Sequence, residues 1–231
     1  MASFQLDARH APDVLPIIQP VLRRARFITA VTGAGISVAS GLPVLNDDLH
    51  GTPLRQFFEP VLLQTNPSKY YELYREALST WRQAQPNAAH LALAAMGAWV
   101  VTQNIDGLHR DAGSKHVIEL HGNFRELVCR PCGRIFSSRL AFAADVPRCT
   151  QCRNVLEPGI VLRGQEVRHF SRAVDWVGRS ELVFIVGTAL QDAPARQLPG
   201  VAEANGATVV WVNEAAEDIL PLFCQTPAQD G

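Results

Sequence analysis

The chain carries little charge of either sign and almost no imbalance between them. Lys and Arg number 21 against 22 Asp and Glu, for a formal net charge of -1. The basic footprint of a nucleic-acid binder is therefore missing, and no direct nucleic-acid partner is expected. A local basic groove for a protein tail remains compatible with that balance, because net charge does not report local fields. No apolar run approaches the roughly 20 residues of a membrane-spanning helix. Met1–His10 lacks the positive stretch and apolar core of a secretory signal, so a cytoplasmic protein is expected. Cysteine is scarce and odd in number, five in 231 residues, which argues against a disulfide scaffold. G-x-S-x-G is absent, as is any serine–histidine–acid order that would suggest a hydrolase triad. Internal repeats and long low-complexity segments are also absent.

What is present suits one large core with a small satellite: 231 residues, 47% of them apolar. Residues 13–25 read as a helix, although Pro16 and Pro20 count against it. Phe27–Thr32 is β-branched and apolar, as a buried parallel strand should be, and runs straight into Gly33-Ala34-Gly35. That is the strand, glycine turn and helix opening of a nucleotide-binding α/β domain. Helices are expected over 68–82, with Tyr71, Tyr74 and Leu78 on one side, over 89–98 and over 167–177. Short strands are expected at 99–102, 117–120, 182–186 and 208–212. Each ends in small or polar residues, which places Gly33, Gln103, His121, Gly187 and Asn213 along the carboxyl edge of one sheet, where such folds hold ligands. Residues 41–68 give no clear pattern, and the tail after Cys224 reads as loose.

Four cysteines fall in two pairs, Cys129/Cys132 and Cys149/Cys152. Two such knuckles suit tetrahedral zinc with no open position, hence a structural site; redox thiols or an iron–sulfur centre are the alternatives. Metal binding would then contribute to folding of 129–152, which has too few apolar residues for its own core. Cys224 reads as an inert, partly buried thiol. Gly33 and Gly35 permit close backbone approach to a phosphate at a helix start, but equally a tight turn feeding a packed helix. They form neither the full dinucleotide fingerprint nor a Walker sequence. Gln103, Asn104 and Asp106 can recognise ribose hydroxyls and an amide-bearing ring, or cap a turn. Among the seven histidines, His121 has the best position for a general base. His109 has an alternative as a hydrogen-bonded structural residue, and His50, His90, His116 and His169 offer no comparable context.

Taken together, GAGISVASGLP at 33–43, TQNIDGLH at 102–109, HG at 121–122, the paired C-x-x-C knuckles, GTAL at 187–190 and VN at 212–213 resemble the sirtuins, NAD-dependent protein lysine deacylases. The matches occur in order and span most of the chain. The resemblance implies an α/β fold: a Rossmann-like parallel-sheet NAD-binding domain made of 1–43, 86–124 and 157–231, a cofactor loop and helical insertion at 44–85, and a small structural zinc module at 125–156. It implies that Gly33, Ala34, Gly35 and Ile36 line the NAD site, that Gln103 contacts the nicotinamide ribose, and that Asn104 and Asp106 serve the nicotinamide pocket. His121 becomes the general base acting through a ribose hydroxyl, and Gly187, Thr188 and Asn213 hold the adenosine side. Cys129, Cys132, Cys149 and Cys152 become ligands of one structural zinc per chain. In the family's reaction the acyl oxygen of a modified lysine attacks the anomeric carbon, nicotinamide leaves and an alkylimidate forms. The products are free lysine, nicotinamide and O-acyl-ADP-ribose. The implied partner is an acylated lysine in a protein or peptide, and the oligomeric state stays open, a monomer included.

Two departures stand out. The family continues G-[IL]-P with an aromatic residue and an arginine, whereas Gly41-Leu42-Pro43 continues here as Val44-Leu45-Asn46-Asp47. The segment that normally covers NAD is altered, with weaker NAD binding, slower turnover or poorer protection of the intermediate as the consequence to test. After the cysteines the family reads L-[KR]-P-x-V-V-x-F-G-E, and here Phe has become Arg163 and Glu has become Gln165. That region pairs with the substrate peptide through its backbone in the family, a mode that survives side-chain changes. Arg163 reads either as a site for an acidic acyl group or peptide, or as a solvated charge. The altered loop keeps two other readings open beside the deacylase: an NAD glycohydrolase or ADP-ribosyltransferase, and a weakly catalytic nucleotide-binding or protein-binding module.

Overall fold

The computed structural model describes residues 2–44, 48–49, 52–53 and 57–225. Its strands in chain order are β1 (Ser3–Leu6), β2 (Ile28–Thr32), β3 (Asp48–Leu49), β4 (Thr52–Pro53), β5 (Trp99–Thr102), β6 (Val117–Glu119), β7 (Gly122–Val128), β8 (Ile135–Ser137), β9 (Glu157–Ile160), β10 (Leu182–Val186) and β11 (Thr208–Val212). Six of them form one sheet in the order β1-β11-β10-β2-β5-β6, and every pairing in it is parallel. Parallel strands must be covered on both faces, so their sequences are apolar without alternation. All five residues of β10 are buried. Its Leu182, Phe184 and Val186 face one core with Ile18, Leu93 and Ile219, while Val183 and Ile185 face the other with Trp176, Val177 and Leu198.

The second unit is a three-stranded antiparallel sheet, β8-β7-β9, with helix Pro67–Trp81 packed in the same core. Asn66 caps that helix by accepting from the Lys69 N–H at 3.1 Å. Its buried face packs Tyr70, Tyr74 and Trp81 against Phe57, and Tyr74 and Trp81 also against Phe124, while Tyr71 packs on Tyr70 and Tyr74. Two phenols also tie the helix to the small sheet: Tyr74 donates to the Phe124 carbonyl at 2.7 Å, and Tyr71 to the Leu156 carbonyl.

The expected strands at 99–102, 182–186 and 208–212 match the observed ones, and the others agree within a residue. Pro16 and Pro20 do not stop the first helix, Ala11–Arg24, which buries Ala11 and Ile18 against the sheet and so keeps its shape despite two missing donors. Two helices end differently from expectation. The Ala-rich one runs Ala88–Ala95 and stops before Gly97, whose φ of +68° leaves the helical region. The one read at 167–177 begins only at Phe170 and extends to Arg179. Strand β1, paired with β11 at the sheet edge, gave no pattern in the sequence. The altered residues Leu45, Asn46 and Asp47, part of the 44–58 segment, and the tail from 226 lie outside the described residues.

Candidate active site

The carboxyl ends of five adjacent strands are laced by backbone bonds that continue past the ladders. Gly187 N–H donates to Val212 O at 3.0 Å, Gly33 N–H to Val186 O at 3.1 Å, Gln103 N–H to Thr32 O at 2.9 Å and Leu120 N–H to Thr102 O at 2.9 Å. The sequence-predicted residues are therefore brought to one edge: Asn213, Gly187 and Thr188, Gly33–Ile36, Gln103–Asp106 and His121.

Gly33 and Gly35 are required first by the protein itself. A Cβ on Gly35 would lie 2.7 Å from the Gly187 Cα and 2.8 Å from its carbonyl oxygen, and one on Gly33 would lie 2.6 Å from the Thr188 Cβ. The Gly35 N–H donates to Gly187 O at 2.9 Å across this contact. Gly187 itself sits at φ +59°, in the left-handed region. The two turns thus touch backbone to backbone, and the exposed Ala34 keeps an N–H without a partner among the described residues. Gly35→Ala is expected to destabilise the fold by about 1–3 kcal/mol, read as a lower urea midpoint. An unchanged midpoint would contradict the close approach.

Four side chains bridge the strand ends. Thr188 Oγ1 donates to Gln103 Oε1 at 2.8 Å, and the Thr188 N–H donates to Asn213 Oδ1 at 3.1 Å. On the other side of Gln103, its backbone carbonyl accepts from His121 Nδ1 at 2.8 Å. A carbonyl can only accept, so the proton of the neutral ring sits on Nδ1 and the Nε2 lone pair is left free. Burial disfavours the imidazolium and pushes the His121 pKa below its ordinary 6.5; the Gln103 carbonyl and the field of Asp192 act in the opposite direction.

Asn104 and Asp106 meet on Ser37. The Ser37 hydroxyl donates to Asp106 Oδ2 at 2.8 Å and accepts from Asn104 Nδ2 at 3.1 Å. Asp106 Oδ1 accepts the Leu108 N–H at 2.9 Å. Both carboxylate oxygens are thus engaged, while Asn104 Oδ1 has no partner among the described residues. The turn-capping and ligand-facing readings of this segment coexist, since Asp106 caps and Asn104 does not. Ser37 and His90 were not identified from the sequence. His90 Nε2 lies 3.5 Å from Ser37 Oγ and its Nδ1 3.1 Å from Asn87 Oδ1. A histidine three residues after the N-cap Asn87, on an alanine-rich uncharged helix, was the available clue. His109 is fully buried, with Nε2 2.9 Å from Thr32 Oγ1, so its alternative reading as a structural residue fits the geometry. Burial lowers the pKa of both His90 and His109.

The four paired cysteines converge. Their sulfurs all lie within 4.8 Å of one another, with Cys129 and Cys152 Sγ at 3.3 Å and Cys132 and Cys149 Sγ at 3.7 Å. Tetrahedral zinc–thiolate bonds of about 2.3 Å imply sulfur separations of about 3.8 Å, so the set fits that ion. The two knuckles share one backbone pattern. Gly133 N–H donates to Cys129 O at 2.8 Å and Arg153 N–H to Cys149 O at 3.0 Å, while Cys129 and Cys149 N–H donate to Arg134 O and Asn154 O, each at 2.8 Å. Gly133 and Arg153 occupy the same left-handed position, at φ +70° and +64°. Cys224 is exposed rather than inert by burial, its Sγ 3.5 Å from the Ala92 carbonyl.

Beyond His121, the exit from β9 is held in place by local bonds. Gln165 Oε1 accepts the Leu162 N–H at 3.0 Å. Arg163 N–H donates to Phe58 O at 3.0 Å, and its guanidinium pairs with Glu59 at 2.8 Å while 76% of the side chain is exposed. Arg163 is therefore a partnered surface charge.

The Sir2 family model matches residues 33–194, from the first glycine turn to Pro194. The chain belongs to the Sir2 family. It is 37% identical over 209 residues to an NAD-dependent protein deacetylase of Caldivirga maquilingensis, covering 84% of this chain and 80% of that protein. It is 31% identical over 219 residues to an NAD-dependent protein deacylase of Thermococcus sibiricus, covering 87% and 86%. Among solved structures, a Sir2 homolog in complex with NAD superposes with a TM-score of 0.83 at 25% identity, covering 96% of this chain and 94% of the other. Sir2Tm bound to a propionylated peptide gives 0.78 at 29% identity, covering 90% and 96%. The matched range of this Sir2 chain takes in the four cysteines, Gln103–Asp106, His121 and Thr188; Asn213 lies beyond it.

Proposed function

We propose that this Sir2 family member removes acyl groups from protein lysines at the expense of NAD, with His121 as the general base. The observation that carries the reading is the pairing of His121 with the Gln103 carbonyl, which leaves a neutral imidazole nitrogen free at the same strand edge as Asn104 and Asp106. NAD, when bound, supplies an anomeric carbon from which nicotinamide departs and to which the acyl oxygen becomes joined.

The chain's own groups divide the work. Ala34 N–H, at the start of the Ala34–Ser40 turn, offers an anion an unused donor beside the Gly33–Gly187 contact, where the pyrophosphate would lie. Gln103, fixed by Thr188, would reach the nicotinamide ribose; Asn104, fixed by Ser37, and Asp106 would serve the nicotinamide pocket. Thr188, Gly187 and Asn213 would hold the adenosine side. His121 Nε2 would take the proton of a ribose hydroxyl, activating it against the acyl carbon. Placing a weak amide oxygen beside the reacting carbon and shutting out water then supply most of the remaining advantage. Cys129, Cys132, Cys149 and Cys152 would hold one structural zinc, which takes no part in the chemistry because four thiolates leave it no open position.

The test is incubation of the protein with NAD and a panel of acyl-lysine peptides, with a peptide-free control, followed by mass spectrometry. Free lysine, nicotinamide and O-acyl-ADP-ribose are expected, and only when peptide is present. Nicotinamide release without peptide would favour a glycohydrolase instead. The pH profile follows from the ring. A base must be unprotonated, and burial keeps His121 so below its usual 6.5, so the acid limb of kcat/KM is expected on the low side of that value. A limb above it would remove His121 as the base.

A further inference from the structure

Behind Asn104 and Asp106 lies a buried imidazole that the reaction does not use. His90 is fully buried on the helix Ala88–Ala95, and its neighbours fix where its proton sits. The Asn87 amide is oriented by three bonds. Its Nδ2 donates to the Ile36 carbonyl at 2.7 Å and to Ser40 Oγ at 3.0 Å, and its Oδ1 accepts the Ala89 N–H at 3.0 Å. The atom 3.1 Å from His90 Nδ1 is therefore an amide oxygen. It can only accept, so Nδ1 carries the proton. Burial lowers the His90 pKa, against the pull of Asp106, and keeps the ring uncharged near neutrality. His90 Nε2 is then a bare lone pair, 3.5 Å from Ser37 Oγ.

Ser37 thus stands between two acceptors with one proton to give. Asp106 Oδ2 holds it at 2.8 Å, and His90 Nε2 waits at the limit of bonding distance. Asn104 Nδ2 donates to the same Ser37 oxygen at 3.1 Å. A hydroxyl is a rotor, so turning about Cβ–Oγ carries the proton from one acceptor towards the other and leaves the heavy atoms nearly in place. In the deacylase reading Asn104 and Asp106 serve the nicotinamide pocket. A carboxamide brings two N–H donors and one carbonyl. The unpartnered Asn104 Oδ1 would accept one N–H, and Asp106 would accept the other. Asp106 Oδ1 is already bonded to the Leu108 N–H, and Oδ2 to Ser37. A new donor competes with both, and Ser37 is the one with a second acceptor beside it.

We propose that His90 is a positioning residue of this pocket, the acceptor to which the Ser37 hydroxyl turns when Asp106 takes the N–H of a carboxamide. The inference deepens the deacylase reading and rests on its placement of nicotinamide at Asn104 and Asp106. No covalent bond is made or broken. Ser37 keeps its proton, and only the direction of that proton changes.

The test has a spectroscopic arm and a kinetic arm. In protein with isotopically labelled histidine, nuclear magnetic resonance is expected to show His90 with a protonated Nδ1 and an unprotonated Nε2, assigned by the signals lost in His90→Gln. Saturating nicotinamide, with ADP-ribose present, should move the Nε2 resonance towards that of a nitrogen accepting a hydrogen bond and leave Nδ1 in place. In the kinetic arm nicotinamide, a product able to rebind, is titrated as an inhibitor of deacylation. His90→Phe fills the site without an acceptor and is expected to weaken inhibition about three- to tenfold, the range of one hydrogen bond, with the peptide KM unchanged. His90→Gln sets an amide oxygen near the place of Nε2 and should restore most of the inhibition. A role confined to packing would give the reverse order, with Phe the better replacement. An Nε2 resonance unmoved by saturating nicotinamide overturns the inference, as do equal inhibition constants in wild type and His90→Phe. A shift at Nε2 in a protein that turns over no peptide would instead overturn the deacylase reading and leave His90 in its role. A site that binds no nicotinamide would overturn both.

Discussion

His121→Ala is expected to lower deacylation about 10²–10⁴-fold, the usual contribution of a positioned general base, while the urea midpoint moves little and NAD still protects the protein from unfolding. The expectation separates chemistry from architecture. The ring is half-buried at the end of β6, and one hydrogen bond, to the Gln103 carbonyl, is all it gives the described structure. The glycine contact and the Thr188–Gln103 bond, which hold the nucleotide edge together, do not pass through the ring. Kinetics and equilibrium unfolding on the same preparation check both halves. Turnover within a fewfold of wild type would mean that another group removes the proton.

Removal of the proposed zinc has the second large effect. Chelation, or Cys149→Ala, is expected to unfold the 129–152 segment while the six-stranded sheet survives. Structural zinc contributes on the order of 10–16 kcal/mol in small thiolate modules, and the segment has little else. Its apolar residues at the core are few: Ala141 is buried, with Phe136, Leu140 and Val146 only partly so, and three of the cysteines make up the rest. Without an ion, four sulfurs within 4.8 Å of one another would have to stay protonated or repel. Hydrogen exchange reads this locally. Amides of Cys129, Gly133, Cys149 and Arg153, which close the two knuckles, should lose protection, and those of Val183 and Ile185 should keep it. Metal analysis should give one zinc per chain before treatment. Unchanged knuckle protection in metal-free protein would show that the loops hold themselves.

The sequence was most legible where one physical demand acts on each residue. Parallel strands buried on both faces must be continuous apolar runs, so Leu182–Val186 and Thr208–Val212 declared themselves, and the residues after them fell on one edge. Two C-x-x-C pairs have few uses, so the four sulfurs could be expected to meet. Legibility failed where tertiary context decides. Pro16 and Pro20 look like helix breakers, yet Ile18 between them is fully buried and the helix runs through both. Strand β1 is four residues at a sheet edge, too short for its alternation to stand out. Ser37 and His90 were missed because the contacts that define them, to Asp106 and Asn104 and across to the Ala88–Ala95 helix, span dozens of positions in the chain. Arg163 was ambiguous for the same reason, since its partner Glu59 lies about a hundred residues away. The glycines show a subtler gap: a turn for a phosphate was foreseen, but the nearest demand on Gly35 is the backbone of Gly187.

The most direct measurement is the ratio of nicotinamide formed to lysine freed in one reaction with a single acyl-lysine peptide. A site that joins the acyl oxygen to the nucleotide before releasing the lysine predicts one nicotinamide for each lysine, with neither product formed in the absence of the other's substrate. Nicotinamide in large excess over lysine would mean that water reaches the nucleotide first, and would contradict the account.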